Sequence, residues 1–187
     1  LLPNEEKDLY FVCSFEHNIE EIDVKKVIDN EIVRINNQII NSNLIDIKRE
    51  TESDKNKCYR KLIEQYIIAS DNFIVNRPNF KLHTIIAGYP WFLDWGRDSM
   101  IAFEGLLLIP RRYDIAREVL LTFIRDVKFG LVPNGYSGFD NRPLYNSVDA
   151  SLLLFEQIEK FIRYTGDYKF VQEKIYPKLK DIVEAYS

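Results

Sequence analysis

Cysteine and histidine are scarce in this 187-residue sequence, which contains two of each. Cys13 and Cys58 do not make the disulfide framework of a small secreted domain, so we expect a reducing, cytoplasmic location. We expect both cysteines to be small buried hydrophobic residues rather than ligands. His17 and His83 have no companions at ligand spacing, which argues against a metal site.

Long apolar runs are also absent, and no stretch is long enough to cross a bilayer or resembles a signal peptide. The formal net charge is −4, with both signs interspersed, so neither a nucleic acid nor a membrane is an expected partner. The sequence has no phosphate-binding glycine loop and no nucleophile elbow, and it calls for no metal and no organic cofactor. Because it begins with LLPNEE rather than Met, we expect a piece of a longer polypeptide.

What the sequence does contain is a dense aromatic and charged segment at residues 87–105, AGYPWFLDWGRDSMIAFEG. Aromatic faces suit the C–H side of a pyranose, and fixed charges hydrogen-bond its hydroxyls, so the segment is typical of a sugar site. The run SMIAFEGLLLI that follows is helical in pattern, which places Arg97 and Asp98 at the mouth of a helix. The alternative is that Asp98 is only the cap of that helix and that the aromatic residues only fill a core.

Apolar periodicity predicts five helices, over about residues 57–75, 98–109, 114–128, 148–164 and 168–186, the last bent or broken at Pro177. In the turn before the last helix, Thr165-Gly166-Asp167 is predicted to combine a C-cap glycine with the next helix start. Long loops at 77–97 and 129–147 alternate with short connections, and short connections make antiparallel neighbours. Both long loops should therefore emerge at the same end, where loops of that length are usually functional. The polar residues of the second loop would then face the aromatic segment: Asn134, Tyr136, Asp140, Tyr145 and Asn146.

The first third of the chain is different in character. Residues 9–15, LYFVCSF, are predicted to be one strand, and residues 18–50 one or two helices. Residues 50–57, ETESDKNK, are predicted to be a charged connector between two units. We therefore divide the chain into residues 1–17, a helical linker at 18–56, and a helical domain at 57–187.

Four ordered motifs make a resemblance specific: AGYPWFLDWGRDSM, GLLLIPRRYDIAREVLLTF, GLVPNGY and YNSVDASLLLFEQIEKFIRYTGD. Over about residues 58–187 the chain resembles the amylo-α-1,6-glucosidase domain of glycogen debranching enzymes, which are glucoamylase-like six-hairpin glycosidases. The resemblance implies a mainly α fold, the N-terminal part of an (α/α)₆ toroid, with about five of its twelve helices. It also implies that the strand at the start is the end of an upstream β-rich domain.

The activity that the resemblance implies is hydrolysis of α-1,6-linked glucose at the branch points of glycogen or a limit dextrin. Such an enzyme needs a general acid and a general base, about 6.5–9.5 Å apart if the reaction inverts configuration. We expect both beyond Ser187, so the chain alone should be inactive and should need the remainder of its polypeptide. The alternatives are a glucoamylase- or trehalase-like α-glucosidase on the same toroid, or a non-catalytic glucan-binding module.

The resemblance also implies roles for single residues. Related glucoamylases hold the terminal glucose with a similar Arg-Asp pair, which makes Arg97 and Asp98 the floor of a glucose subsite; the alternative is a catalytic Asp98. Trp91 and Trp95 would wall the sugar, and Tyr89 would contribute its hydroxyl.

Three further residues have a place in the predicted pocket or beside it. Asn146 and Asp149, in YNSVDA, are expected to contact substrate, unless Asp149 serves only the helix dipole and Ser147 is only a cap. Glu104 is expected to be a paired or solvated structural residue.

Overall fold

The computed structural model describes residues 10–13, 21–45, 53–89, 92–137, 140 and 142–187 of the protein. The fold is mainly helical, as predicted. The chain divides into two compact units, Leu1–Gln38 and Ile39–Ser187. The regular elements are α1 (Val24–Ser42), α2 (Asp54–Asp71), β1 (Ile74–Arg77), β2 (Leu82–Ile85), α3 (Gly96–Phe103), α4 (Tyr113–Arg125), β3 (Gly135–Tyr136), β4 (Pro143–Leu144), α5 (Asp149–Thr165), α6 (Tyr168–Phe170) and α7 (Tyr176–Tyr186).

The strand predicted over residues 9–15 is not formed in the part that the structure describes, since residues 10–13 have no regular structure. Its other residues lie outside the described ranges. The helix predicted within residues 18–50 is present as α1.

The charged connector predicted at residues 50–57 is wrong over its second half, which is the first turn of α2. Ser53 is the N-cap of this helix, and its Oγ accepts a hydrogen bond from the backbone N–H of Asn56 at 3.3 Å. Asp54 then supplies the acidic first-turn residue that the helix dipole favours. Ser53 and Asp54 are therefore a helix start signal within a segment whose charged composition suggests a connector.

The helix predicted to reach residue 75 ends at Asp71, and an antiparallel hairpin of β1 and β2 follows. Its register pairs Ile74 with Ile85 and Arg77 with Leu82. The apolar residues at this boundary fit a helical period and a strand equally well, and β-branched residues decide in favour of the strand. The hairpin thus occupies much of what was predicted to be an irregular loop.

Helices α3 and α4 are antiparallel, as their short connection predicts. Ser99, in the first turn of α3, donates its hydroxyl to the carbonyl of Ile85, and Thr122, in the last turn of α4, donates to the carbonyl of His83. The start of α3 and the end of α4 therefore meet at the same strand. A π-helical turn, Glu104–Leu108, extends α3 toward the connection.

Helix α5 lies beside α3 and runs parallel to it. A Cβ built on Gly96 would lie 3.2 Å from Cβ of Ala150, so the two helix starts touch. At the other end, Nζ of Lys160 lies 2.9 Å from a carboxylate oxygen of Glu104. The core between these helices and α4 is made of fully buried side chains, among them Met100, Phe103, Leu107, Leu120, Phe123, Leu154 and Phe161.

The end of the chain follows the predicted turn closely. Gly166 is the C-cap of α5 at φ 67°, and the Asp167 side chain accepts from the Phe170 N–H as the next N-cap. The predicted break near Pro177 takes the form of a π-helical turn, Val171–Ile175, immediately before α7.

Two surface properties bear on the expectations above. Cys13 and Cys58 are free and exposed, so the expectation that they are buried is wrong. Within the described ranges, no helix combines the length and the apolar character that a bilayer-crossing segment needs.

Candidate functional site

The two long loops predicted to share one end of the helices lie against each other at the start of α3. The N–H of Gly96 donates to the carbonyl of Asn134 in the second loop at 2.6 Å. A Cβ on Gly135 would lie 3.5 Å from the Trp95 ring, so the indole packs directly on that backbone. A Cβ on Gly96 would lie only 2.4 Å from the carbonyl oxygen of Pro133, so the joint has no room for a side chain at Gly96.

Arg97 and Asp149 join the N-termini of the two parallel helices. The Nε of Arg97 donates to Oδ2 of Asp149, and the two side chains are 56% and 40% exposed. Because both groups reach solvent, the pair lies at the mouth of the site rather than in the core.

The carboxylate of Asp149 is held by three donors. Besides Arg97, the Ser147 hydroxyl donates to Oδ1, and so does the backbone N–H of Ala150 at 2.9 Å. The Ser147 hydrogen bond, followed by Arg97, keeps the pKa of Asp149 below its ordinary value. Asp149 is therefore ionised and committed to protein partners, and Ser147 serves this carboxylate rather than only a helix start.

Asp98 differs from Asp149 in having no partner among the residues that the structure describes. It is exposed, and no residue within the described ranges donates a hydrogen bond to its carboxylate. The N-cap of α3 is Trp95, which leaves Asp98 as an acidic residue of the first turn. The alternative in which Asp98 is the cap is therefore wrong, and its exposed carboxylate lies at the mouth where α3 and α5 begin.

The second loop supplies fewer exposed polar groups than predicted. The side chain of Asn146 is exposed and accepts from the Asn134 amide at 2.9 Å. Tyr136 is instead fully buried, with its hydroxyl donating to the carbonyl of Thr122 at 2.8 Å. Tyr145 is half-buried and donates to the carbonyl of Asp126 at 2.5 Å. Both tyrosines therefore bind the second loop to α4 and to the residue that follows it, and neither hydroxyl is left to face the site.

The predicted aromatic wall is described in part. Trp95 is half-buried against the second loop, and Tyr89 is 72% exposed. Phe92, between them, is 62% exposed. Trp91 lies outside the described residues.

Sequence reasoning missed the ion pair beneath this segment. Asp94, whose side chain is fully buried, accepts two hydrogen bonds from the Arg77 guanidinium, at 3.1 and 2.5 Å. Asp94 stands in the recognised motif, but Arg77 is brought to it only by the hairpin, which was not predicted. No spacing in the sequence signals this pair.

Glu104 has the structural role expected of it. It binds Lys160 at 2.9 Å and accepts a hydrogen bond from the Tyr164 hydroxyl at 3.0 Å. These contacts tie the far ends of α3 and α5 together, away from the helix starts.

Comparison with known proteins shows a family and a relative that resemble this chain. Residues 68–187 match the protein family described as amylo-alpha-1,6-glucosidase. A Saccharomyces cerevisiae protein named glycogen debranching enzyme is 32% identical over 104 residues, which cover 52% of this chain and 7% of that protein. The chain thus spans about 7% of the length of this curated relative.

Proposed function

The chain belongs to the amylo-alpha-1,6-glucosidase family, and from this premise we propose that the mouth formed by α3 and α5 binds the terminal glucose of an α-glucan. The observation that carries the proposal is the exposed carboxylate of Asp98, which has no donor within the described ranges, beside the Arg97–Asp149 ion pair. A free carboxylate accepts hydrogen bonds from sugar hydroxyls, which supply the donors that the protein does not.

Each residue of the site has a distinct role in this proposal. Asp98 accepts from glucose hydroxyls, and Arg97 donates to them with the guanidinium nitrogens that Asp149 leaves available. Asp149 positions Arg97 by charge. Trp95, together with Trp91 and Tyr89, lines the pyranose faces, and Asn146 contacts the sugar from the second loop.

We place this subsite in an (α/α)₆ toroid, of which the described helices form one part. The parallel arrangement of α3 and α5, with α4 antiparallel to α3, supports the assignment because an inner ring of parallel helices needs outer helices that return the chain. Both loops then open at the N-terminal ends of inner helices. The toroid would be completed by the remainder of the polypeptide.

The reaction that we propose is hydrolysis of an α-1,6-linked glucose at a branch point with inversion of configuration. One carboxyl group protonates the leaving oxygen while another activates a water molecule on the opposite face of the sugar. We assign both groups to residues beyond Ser187 and keep Asp98 as a binding residue. Its contribution is to orient the glucose, because a misplaced substrate loses large factors in rate.

Glycogen and limit dextrins are the substrates that fit this proposal, and a reducing, cytoplasmic location is consistent with the exposed free thiols of Cys13 and Cys58.

The direct test is glucose release by the full-length protein from a phosphorylase limit dextrin, with linear maltooligosaccharides and trehalose as comparison substrates. We expect release from the branched substrate alone. Faster release from linear chains would instead support a glucoamylase-like enzyme, and release from trehalose a trehalase-like one. Glucan binding without release from any substrate would indicate a non-catalytic module and overturn the proposal.

A further inference from the structure

We propose that Arg77, on β1, is a positioning residue for the glucose site, which it controls through the buried carboxylate of Asp94. The inference rests on the proposed function of Arg97 and Asp98. Its physical content is that the hairpin of β1 and β2, outside the helical layers, orients the backbone from which both glucose-binding side chains project.

The pair is well suited to fixing direction. Both nitrogens of one guanidinium edge, Nε and Nη2, bind different oxygens of the Asp94 carboxylate, at 3.1 and 2.5 Å. The Asp94 side chain is fully buried, and the Arg77 side chain is 19% exposed. A planar fork on a planar carboxylate fixes orientation as well as distance, which a single contact does not.

Arg77 is itself held in place by aromatic rings from two segments of the chain. Its guanidinium carbon lies 5.6 Å from the centre of the Phe80 ring, in the hairpin turn, and 5.8 Å from that of Tyr136, in the second loop. The same two rings meet edge to face at 5.3 Å. Arg77 thus stands where the hairpin, the second loop and the aromatic segment meet, so a shift of the hairpin moves Asp94.

The chain after Asp94 leads straight into the site. Trp95 rests its ring on Gly135, Gly96 is hydrogen-bonded to Asn134, and Arg97 and Asp98 follow at the helix mouth. These four residues are therefore anchored to the second loop on one side and to β1, through Asp94, on the other. Releasing the β1 anchor leaves the mouth held from one side only.

Stability alone does not explain an ion pair at this position. Replacing a buried ion pair with apolar residues of similar volume is often neutral or stabilising, whereas removing one partner is strongly destabilising. An apolar pair at positions 77 and 94 should therefore restore the stability of the protein but not the orientation of the backbone at Asp94. The two effects can be measured separately in such a variant.

The test compares Arg77→Met, the double variant Arg77→Met/Asp94→Leu and Arg77→Lys in the full-length protein. Melting temperature, kcat and KM for a limit dextrin, and the affinity for glucose are measured for each. We expect Arg77→Met to lose stability, and the double variant to recover its melting temperature to within a few degrees. Its KM and its glucose dissociation constant should stay raised about tenfold, with kcat less affected.

Arg77→Lys keeps the charge opposite Asp94 but loses the fork, so it should fold and still bind glucose several-fold more weakly. A matched control is Arg117→Lys, at a partly exposed pair in which the Arg117 Nε lies 2.9 Å from Asp167. Arg117 stands near the start of α4 and Asp167 follows the end of α5, so this pair lies at the end of the helices opposite the mouth. This variant should keep the wild-type KM. If either the double variant or Arg77→Lys folds and keeps wild-type glucose affinity and KM, the inference is overturned. A wild-type protein that releases no glucose would instead refute the proposed function, so the two failures are distinguishable.

Discussion

The guanidinium of Arg97, at the start of α3, donates to the carboxylate of Asp149, the first residue of α5, across 52 positions of the chain. This bond ties together the N-termini of two parallel helices, and Ser147 and the Ala150 N–H complete the shell of Asp149. The neighbouring Asp98 is left without a protein donor within the described ranges. Within the described ranges, one carboxylate of the mouth is therefore held by protein donors and the other is not.

The first prediction concerns Asp98→Asn. The neutral amide keeps the size of the side chain but loses charged hydrogen bonds to sugar hydroxyls, so kcat/KM for a limit dextrin should fall by about 100-fold or more. The free energy of unfolding should change by less than about 1 kcal/mol, because the only structural loss is a first-turn charge on a helix. Glucose-release kinetics and thermal unfolding of the full-length protein measure the two effects. Unchanged kinetics would rule out a contact between Asp98 and the substrate.

Glu104→Gln provides the matched comparison from the π-helical turn that extends α3. Its carboxylate binds Lys160 and Tyr164 at the end of the helix pair opposite the mouth. Losing this charge should cost at most about 1 kcal/mol, because the contacts are partly exposed, and should leave kcat and KM unchanged. A large loss of glucose release in this variant would mean that the site extends much farther along α3 than proposed.

The convergence of the two loops was predictable because it follows from topology. Short connections reverse a helix, so α3, α4 and α5 alternate in direction and their long loops meet at one end whatever the side chains are. The capping roles of Gly166 and Asp167 were also predictable, because a helix cap depends on residues that are close together in the chain. The lack of a donor to Asp98 among the described residues was not predictable, since N-cap and first-turn positions differ by less than the uncertainty of a predicted helix boundary.

What failed were the features that depend on contacts distant in the chain. The hairpin was missed because the apolar residues around Ile74 fit two periods, and with it the ion pair from Arg77 to Asp94 was missed. Tyr136 and Tyr145 are predicted to face the site because they lie in a polar loop. Their burial is decided by the partners that they find on α4 and just after it, Thr122 and Asp126.

A second prediction follows from the lowered pKa of Asp149. Hydrogen bonding from Ser147 and then Arg97 lowers the pKa of this carboxyl group, so the folded state holds its proton less tightly than the unfolded state. The stabilisation is therefore complete above the ordinary aspartate pKa of about 3.9 and is lost only as the pH falls below it. Between about pH 5 and pH 8 the Asp149 carboxyl group therefore stays ionised.

Asp149→Asn should raise KM for limit dextrin about tenfold, since Arg97 loses its charged anchor, and the ratio of mutant to wild-type KM should stay constant from about pH 5 to pH 8. Ser147→Ala, which removes one neutral donor, should have a smaller effect of the same sign. Steady-state kinetics at several pH values test both variants. A ratio that changes across this range would show that the pair titrates there.

A third prediction concerns alkaline stability and Tyr136. Burial, with the nearby charge of Asp126 as a second cause, raises the pKa of this hydroxyl well above its ordinary range. Below about pH 10 its contribution to stability is complete, and as the pH rises further the unfolded state loses the proton first, so stability falls. Tyr136→Phe should cost about 1–3 kcal/mol at neutral pH, because the Thr122 carbonyl loses its donor, and should flatten the alkaline decline.

Unfolding midpoints measured from about pH 8 to pH 11 test this prediction. Tyr89→Phe is the control, because that side chain is 72% exposed and its replacement should leave both the midpoint and the slope unchanged. Parallel declines in wild type and Tyr136→Phe would show that Tyr136 is not the group responsible.

The last prediction uses two glycines of one helical segment. A Cβ at Gly96 would lie 2.4 Å from the carbonyl oxygen of Pro133, a backbone atom that cannot move without displacing the second loop. Gly96→Ala should therefore cost about 1–3 kcal/mol and break the contact that brings Asn134 to the mouth, so glucose affinity falls with stability.

At Gly105 nothing lies within 4 Å of the added Cβ, and alanine favours helix over glycine by about 1 kcal/mol. Gly105→Ala should then leave the protein as stable or more stable, with kcat and KM unchanged. Thermal unfolding and kinetics of the two variants separate the close approach of the loops from the general effect of alanine. If Gly96→Ala proved as harmless as Gly105→Ala, the two loops would not be packed together as tightly as this joint requires.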